Sequence, residues 1–256
     1  MEPVPDVTSL PSGCCPILEL RQYTLHPGRR DDLIDLFDRE FVESQEATGM
    51  RVVGQFRDVD AQQRFVWLRG FPDMEARARS LAAFYDGPVW ALHRDAANAT
   101  MVDSDDVLLL RPAGDRAGFV LPSDRPAAGA PARPASLVVA TIYPLRAPAA
   151  RAFVRFFEER MCRPLIETGA RPLATFETEA AENTFPRLPV RTGEDVFVWF
   201  ASFETMEDHR RHVAALAEMT AWNDAVVPEM APYLAAPPER LRLEPTARSL
   251  LGRRAL

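Results

Sequence analysis

The strongest constraint on what this chain can fold into is that it matches itself. Tyr23 falls on Tyr143, Phe37 on Phe157 and Gly49 on Gly169 at an offset of 120 residues. Further along, Trp67 falls on Trp199, Phe71 on Phe203, Met74 on Met206 and Trp90 on Trp222 at an offset of 132. One insertion of twelve residues accounts for the change of offset. It lies between Phe176 and Val196, where Pro186, Pro189 and Gly193 mark a lengthened hairpin loop. The matched pairs use all four tryptophans. A repeat this long, in 256 residues, points to two modules of about a hundred residues each.

Hydrophobic periodicity orders each module as strand, helix, strand, strand, helix, strand. Ile17 to Leu25 reads as a strand ending at Pro27-Gly28, after which Leu33, Ile34, Leu36, Phe37 and Phe41 recur at helical spacing up to Gly49. Met50 to Phe56 and Arg64 to Phe71 read as strands, Asp73 opens a helix, Pro88 opens a second helical segment, and Val107 to Leu110 closes the module. The second copy repeats the order from Leu137 to Leu243. This arrangement predicts an α+β fold: two tandem ferredoxin-like βαββαβ modules. One face of each antiparallel sheet carries helices; the sister sheet is the economical cover for the other, which makes an α/β barrel. The expected organisation is a leader over 1–16, module 1 over 17–112, a linker over 113–135, module 2 over 136–246 and a tail over 247–256. The linker is rich in Pro and Ala, with a Phe119-Val120-Leu121 triplet apolar enough to pin part of it.

Composition narrows the function classes. A net charge of −7 and a pI near 5.3 give no basic footprint, so nucleic acid is not an expected partner. No apolar run approaches the ~18 residues needed to span a bilayer, and Met1 to Ser12 lacks both a basic start and an apolar stretch. A cytoplasmic protein without membrane contact is expected. The chain has no Lys, and all thirty basic residues are Arg. That removes Schiff-base chemistry and Walker-type phosphate loops. Three cysteines, Cys14, Cys15 and Cys162, argue against a disulfide framework and are expected to be incidental thiols.

The string Glu19-Leu20-Arg21-Gln22-Tyr23-Thr24-Leu25-His26-Pro27-Gly28 resembles the opening of the NIPSNAP family. Trp67 in an apolar strand, Phe71 before an acidic helix start and Trp90 after Pro88 strengthen the likeness over Ile17 to Pro112. The second copy resembles the family more weakly, with Val139 and Thr141 in place of Glu and Arg. The resemblance implies the dimeric α/β-barrel superfamily, which includes cofactor-free monooxygenases and cyclases, isomerases and haem proteins.

Candidate chemistry concentrates in the first copy. Glu19, Arg21 and Tyr23 alternate along one strand and share a face. Either Glu19 and Arg21 form an ion pair bridging to a neighbouring strand, or Arg21 anchors an anionic or carbonyl oxygen while Tyr23 donates a hydrogen bond or proton. Phe65, Trp67, Arg69 and Phe71 share a face of the next strand, and Arg51, Val53, Gln55 and Arg57 alternate on another. Aromatic groups mixed with Arg suit a flat, partly anionic ligand, and equally a core with snorkelling arginines. His93, beside Trp90, is the candidate general base. In the second copy Arg171, Trp199 and Trp222 are the counterparts, while Arg69 becomes Ala201. His209 and His212 stand i, i+3 among charged residues, as on a solvated helix face, and no metal is expected.

The resulting expectation is a cofactor-independent small-molecule enzyme of oxygenase, cyclase or isomerase type. It would act on an aromatic or polyketide-like substrate in a sheet–helix cavity. Tyr23, Arg21 and His93 are the catalytic candidates. Arg51, Trp67, Arg69, Trp90, Arg171, Trp199 and Trp222 are the binding candidates. The alternatives are a non-catalytic member that binds a hydrophobic ligand or a protein, and a haem-binding barrel; a homodimer of the two-module chain is left open.

Overall fold

The computed structural model describes residues 15–115, 117–130, 136–147 and 150–252. Strand β1 (Ile17–Leu25) leads into α1, which joins α-helical Arg30–Leu36, a π-helical turn Phe37–Phe41 and α-helical Val42–Glu46. Strands β2 (Arg51–Asp58) and β3 (Arg64–Phe71), helices α2 (Met74–Tyr85) and α3 (Pro88–Asn98), and strand β4 (Met101–Pro112) complete the first half. The second half runs β5 (Leu137–Leu145), α4 (Ala150–Phe156, π-helical Phe157–Met161, Cys162–Glu167), β6 (Arg171–Thr178) and β7 (Asp195–Phe203). It ends with α5 (Met206–Glu218), α6 (Trp222–Val226, Val227–Met230, Ala231–Tyr233) and β8 (Glu239–Pro245). The π-turns of α1 and α4 stand 120 residues apart, the offset that aligns the two halves in sequence. Gly49 and Gly169, at φ +96° and +110°, end both helices in the left-handed conformation that glycine tolerates best.

The eight strands close into an antiparallel barrel in the order β1-β3-β2-β8-β5-β7-β6-β4. Within each half the strands pair as a ferredoxin-like sheet; β2 against β8 and β4 against β6 join the halves. Strand alternation then separates two environments. The even positions of β1, β3 and β5 (Leu18, Leu20, Val66, Leu68, Val138, Ala140 and Ile142) fill the barrel interior with aliphatic side chains. The odd positions face the helices, where Tyr23, Phe65 and Trp67 meet Phe37, Phe41 and Phe84.

The linker and tail are packed. Phe119 is buried in the barrel interior against Phe176 and Phe200, with ring centroids 5.1 and 5.0 Å away, and Leu251 joins the same core. Arg125 donates to the Val52 and Arg248 carbonyls and pairs with Glu46, tying linker, tail and β2 together. Cys15 is disulfide-bonded and Cys162 is free, so the reading of all the cysteines as incidental thiols fails at Cys15; Cys14 lies outside the described residues. No helix among the described residues is long and apolar enough to cross a membrane.

Candidate functional site

Strand register builds the first half's polar centre. Glu19 lies across from Arg69, and Arg21 across from Trp67, on the face that the helices cover. Helix α2 brings a third guanidinium. Its start is fixed by Asp73, whose side chain accepts from Ala76 N, and one turn on it buries Arg77. Glu19 Oε2 accepts from Arg21 Nη1 and Arg69 Nε, each at 2.7 Å, and its Oε1 accepts from Arg77 Nε at 2.7 Å. All four side chains are at most 1% exposed.

Three guanidiniums thus surround one carboxylate, leaving the cluster two positive charges in excess. Burial opposes ionisation of Glu19, but the attraction of Arg69, Arg21 and Arg77 outweighs it and holds the carboxyl well below the usual carboxylate range. For Arg77 burial wins over the attraction of Glu19, and its pKa is lowered. Neutral acceptors take part of the excess. Arg21 Nε donates to Tyr23 Oη at 3.2 Å, Arg69 Nη1 donates to Gln45 Oε1 at 3.3 Å and Tyr85 Oη at 3.4 Å, and Arg77 Nη1 donates to Asn183 Oδ1 at 2.9 Å. Arg69 Nη2, Arg77 Nη2 and Trp67 Nε1 are buried without a hydrogen-bond partner among the described residues. Burying such groups is costly, so each marks a place where an acceptor would be welcome.

Beside this cluster is a cavity of about 30 Å³ lined by Tyr23, Gln45, Trp67, Tyr85 and Trp90, with Phe37, Phe41 and Phe84 completing its wall. The rings meet edge to face or tilted. Phe37 and Trp67 are 4.8 Å apart, Tyr23 and Trp67 5.9 Å, and Tyr85 and Trp90 4.9 Å. Arg69 stacks over Trp67 at 5.1 Å. Burial is the main cause that raises the Tyr23 pKa, with Arg21 opposing it, so Tyr23 remains a neutral phenol able to donate.

The strand, aromatic and helical features of this half coincide with one family's pattern. Residues 18–115 match the NIPSNAP family model. Over nearly the whole chain, the barrel resembles solved structures of candidate monooxygenases from Fusobacterium nucleatum and Lactobacillus acidophilus. The first has TM-score 0.57, 9% identity and coverage of 93% of this chain and 95% of that one. The second has 0.56, 13%, 93% and 97%. An anthrone oxidase-like protein gives TM-score 0.51 at 13% identity, covering 90% of this chain and 91% of that one. These likenesses establish the fold. No curated protein matches the chain.

The NIPSNAP-matching half and its counterpart differ in chemistry while keeping the same aromatic frame. Tyr23, Phe37, Trp67 and Trp90 correspond to Tyr143, Phe157, Trp199 and Trp222. Glu19, Arg21, Gln45, Arg69, Arg77 and Tyr85 correspond to Val139, Thr141, Leu165, Ala201, His209 and Ala217. The whole charged set is gone. Trp199 instead borders an open groove of about 430 Å³ with Phe157, Leu173 and Phe197. His209 and His212 are buried against Phe203, correcting their reading as a solvated face. Burial lowers the His209 pKa to about 4.

Of the predicted site residues, Arg21, Tyr23, Trp67, Arg69 and Trp90 come together in the NIPSNAP-matching half. His93 sits at the edge, 6.3 Å from the Phe41 ring, with Nε2 3.5 Å from Glu40 Oε2. Arg51 does not join them. A β-bulge between Val52 and Gly54 breaks the alternation of β2, so Arg51 and Val53 do not share a face with Gln55 and Arg57, contrary to the sequence expectation. Arg51 instead lies near Glu46 at the surface. Gly54 is required beside the bulge, because a Cβ there would stand 2.6 Å from the Phe56 ring. Arg171 is exposed and pairs with Glu204, while Trp199 and Trp222 pack in the second half's core.

Sequence reasoning missed Gln45, Arg77 and Tyr85, and it missed a contribution from the other half. The segment 179–194, which holds the insertion, crosses over onto the NIPSNAP-matching half. Besides Asn183 on Arg77, it places Thr184 Oγ1 on the Met74 carbonyl at 2.9 Å and stacks Phe185 on Tyr85 at 6.1 Å. Arg187 pairs with Asp86 at 2.8 Å, and Arg191 N donates to the Val107 carbonyl at 2.8 Å.

Proposed function

We propose that the first-half cavity is a small-molecule site and that the protein is a cofactor-independent enzyme of oxygenase, cyclase or isomerase type, acting on an aromatic or polyketide-like substrate. One observation carries the reading. An aromatic frame shared by both halves, phenol included, has a buried cationic cluster beside it in one half only. Aromatic walls suit a flat substrate, and the excess charge of Arg21, Arg69 and Arg77 favours substrates that develop negative charge on oxygen. Tyr23, held neutral, would hydrogen-bond that oxygen, and Arg21 positions the phenol. The similarity of the barrel to candidate monooxygenases and to an anthrone oxidase-like protein supports the oxygenase branch. The small volume that the side chains leave favours the alternative of a non-catalytic member that engages a protein partner.

Anthrone is the test substrate. Its aerobic conversion to anthraquinone consumes one O₂ and releases one water per molecule, so oxygen uptake and quinone absorbance must rise together. The expected result is turnover without added cofactor that Tyr23→Phe lowers at least about tenfold, as loss of a transition-state donor does. Tight binding of anthrone without turnover would select non-catalytic ligand binding. Neither binding nor turnover of anthrone or other polycyclic phenols would refute the site.

A further inference from the structure

We infer that the Asn183–Phe185 corner of the 179–194 strap is a built-in stand-in for the ligand, and that the true ligand is an aromatic monoanion which displaces it. This rests on reading the first-half cavity as a small-molecule site.

The corner presents the two chemical groups such a ligand would carry. Asn183 Oδ1 supplies an oxygen acceptor to Arg77 Nη1 at 2.9 Å, and the Phe185 ring, two residues on, lies against Tyr85, which lines the cavity. The imitation is incomplete in charge. An amide oxygen is neutral, so the excess of three guanidiniums over one carboxylate persists, and Arg77 Nη2 and Arg69 Nη2 stay buried and unpartnered among the described residues. A carboxylate has two acceptor oxygens and a negative charge, and can bond a guanidinium in the paired geometry that one amide oxygen cannot. The visible cavity, about 30 Å³, has room for roughly one water and none for a ring, so an aromatic ligand must take space now held by a side chain.

The strap is built to be displaced. Its equivalent is absent from the first-half hairpin, where only Val59 to Gln63 connect β2 and β3. A groove of about 870 Å³ separates it from the second half, bordered by Pro144, Leu145 and Ala235 on one side and Glu179, Val190 and Arg191 on the other, which gives it room to withdraw. Its outer anchor, Arg187 with Asp86, is a surface ion pair of little net strength.

The probes are 2-naphthoate and its neutral isostere 2-naphthamide, titrated calorimetrically into the full chain and into the Asn183→Ala/Phe185→Ala variant. If the corner competes with the ligand, removing it tightens naphthoate binding by about tenfold or more, as expected when the binding-competent state rises from a minor to a major population. Naphthamide binds both proteins at least about tenfold more weakly than naphthoate, because the amide carries no charge to offset the cluster's excess. Hydrogen exchange in the wild-type chain gives a second measurement that does not depend on the variant folding. Saturating naphthoate should speed exchange at the amides of Phe185, Leu188 and Arg191. Equal or weaker naphthoate binding by a folded variant, or strap amides that exchange more slowly with ligand bound, overturns the displacement model. In either case, naphthoate binding to the wild type leaves the cavity reading intact. Absence of naphthoate binding to both proteins overturns the inference, and anthrone then decides separately whether the cavity is a site.

Discussion

Replacing Glu19 by Gln should damage this protein far more than replacing any one of the arginines around it. Glu19 accepts three charge-assisted hydrogen bonds at 2.7 Å in a fully buried position. Glutamine has nearly the same shape but leaves three guanidiniums facing one another. Two such charges roughly 5 Å apart repel by about 3 kcal/mol at an effective dielectric of 20, and removing one partner of a buried ion pair costs about 3–5 kcal/mol. Arg21→Met behaves differently. Glu19 keeps Arg69 and Arg77, so no carboxylate is stranded, and the lost hydrogen bond of about 1.5–3 kcal/mol is offset by relief of like-charge repulsion. A net cost of about 1 kcal/mol is expected. Urea unfolding monitored by tryptophan fluorescence and far-UV dichroism measures both, with exposed Arg163→Gln as a control expected to leave stability unchanged. Glu19→Gln should lower the melting temperature by roughly 8–16 °C for a loss of about 4 kcal/mol in a chain of this size. If Arg21→Met proves as costly as Glu19→Gln, the cluster is not governed by excess positive charge and the reasoning fails.

Half-buried Asp38 and buried His209 should give opposite pH slopes. Burial raises the Asp38 pKa from 3.8 to about 6 against the pull of Arg248 and Arg125; between these values the folded chain keeps a proton that the unfolded chain has released. Stability should therefore decline as pH rises through that window, and thermal melts of Asp38→Asn should lack this component. His209, lowered from 6.5 to about 4, has the reverse effect: the unfolded chain binds a proton that the folded one refuses, so stability is lost as pH falls through that window. His209→Leu should flatten the acid limb; an unchanged limb would place its cause elsewhere. Phe185→Ala should cost about 3–5 kcal/mol if the strap is fully packed and distinctly less if it opens readily, as urea unfolding will show. A protease site placed in the turn near Gly129 should, after cleavage, leave the two fragments eluting together in gel filtration, because β2–β8 and β4–β6 pairing hold them. Fragments that separate as folded monomers would contradict the single-chain barrel.

What could be read from sequence follows the range over which each signal acts. The alternation in Glu19-Leu20-Arg21-Gln22-Tyr23 and in Phe65-Val66-Trp67-Leu68-Arg69 puts the odd-numbered residues of each string on one face, and in the structure that is the face the helices cover. Arg51 was misplaced because one extra residue in β2 inverts the parity, and a bulge announces itself only by a glycine, Gly54. Arg77 hides in Glu75-Ala76-Arg77-Ala78-Arg79, which looks solvated. The signal available was that Arg77 stands i, i+4, i+7 with Leu81 and Phe84, so the stripe that buries them buries it as well. Charged neighbours concealed His209 and His212 in the same way. Nothing local could reveal that Asn183 meets Arg77, because that contact depends on how the two halves close.

Barrel closure also bears on how the chain comes to be folded during synthesis. Asp58 of β2 finds its partner only in Leu243 of β8, and Leu110 of β4 waits for Thr178 of β6. A ribosome that has finished the first half therefore releases a sheet with both edges unpaired and one aliphatic face bare. Such an intermediate is a template for strand pairing with other chains until the last strand emerges. Translational pausing or premature termination before Glu239 should consequently raise the aggregated fraction above that of the complete chain, and co-expression with a chaperone that shields sheet edges should benefit the truncated chain more than the complete one.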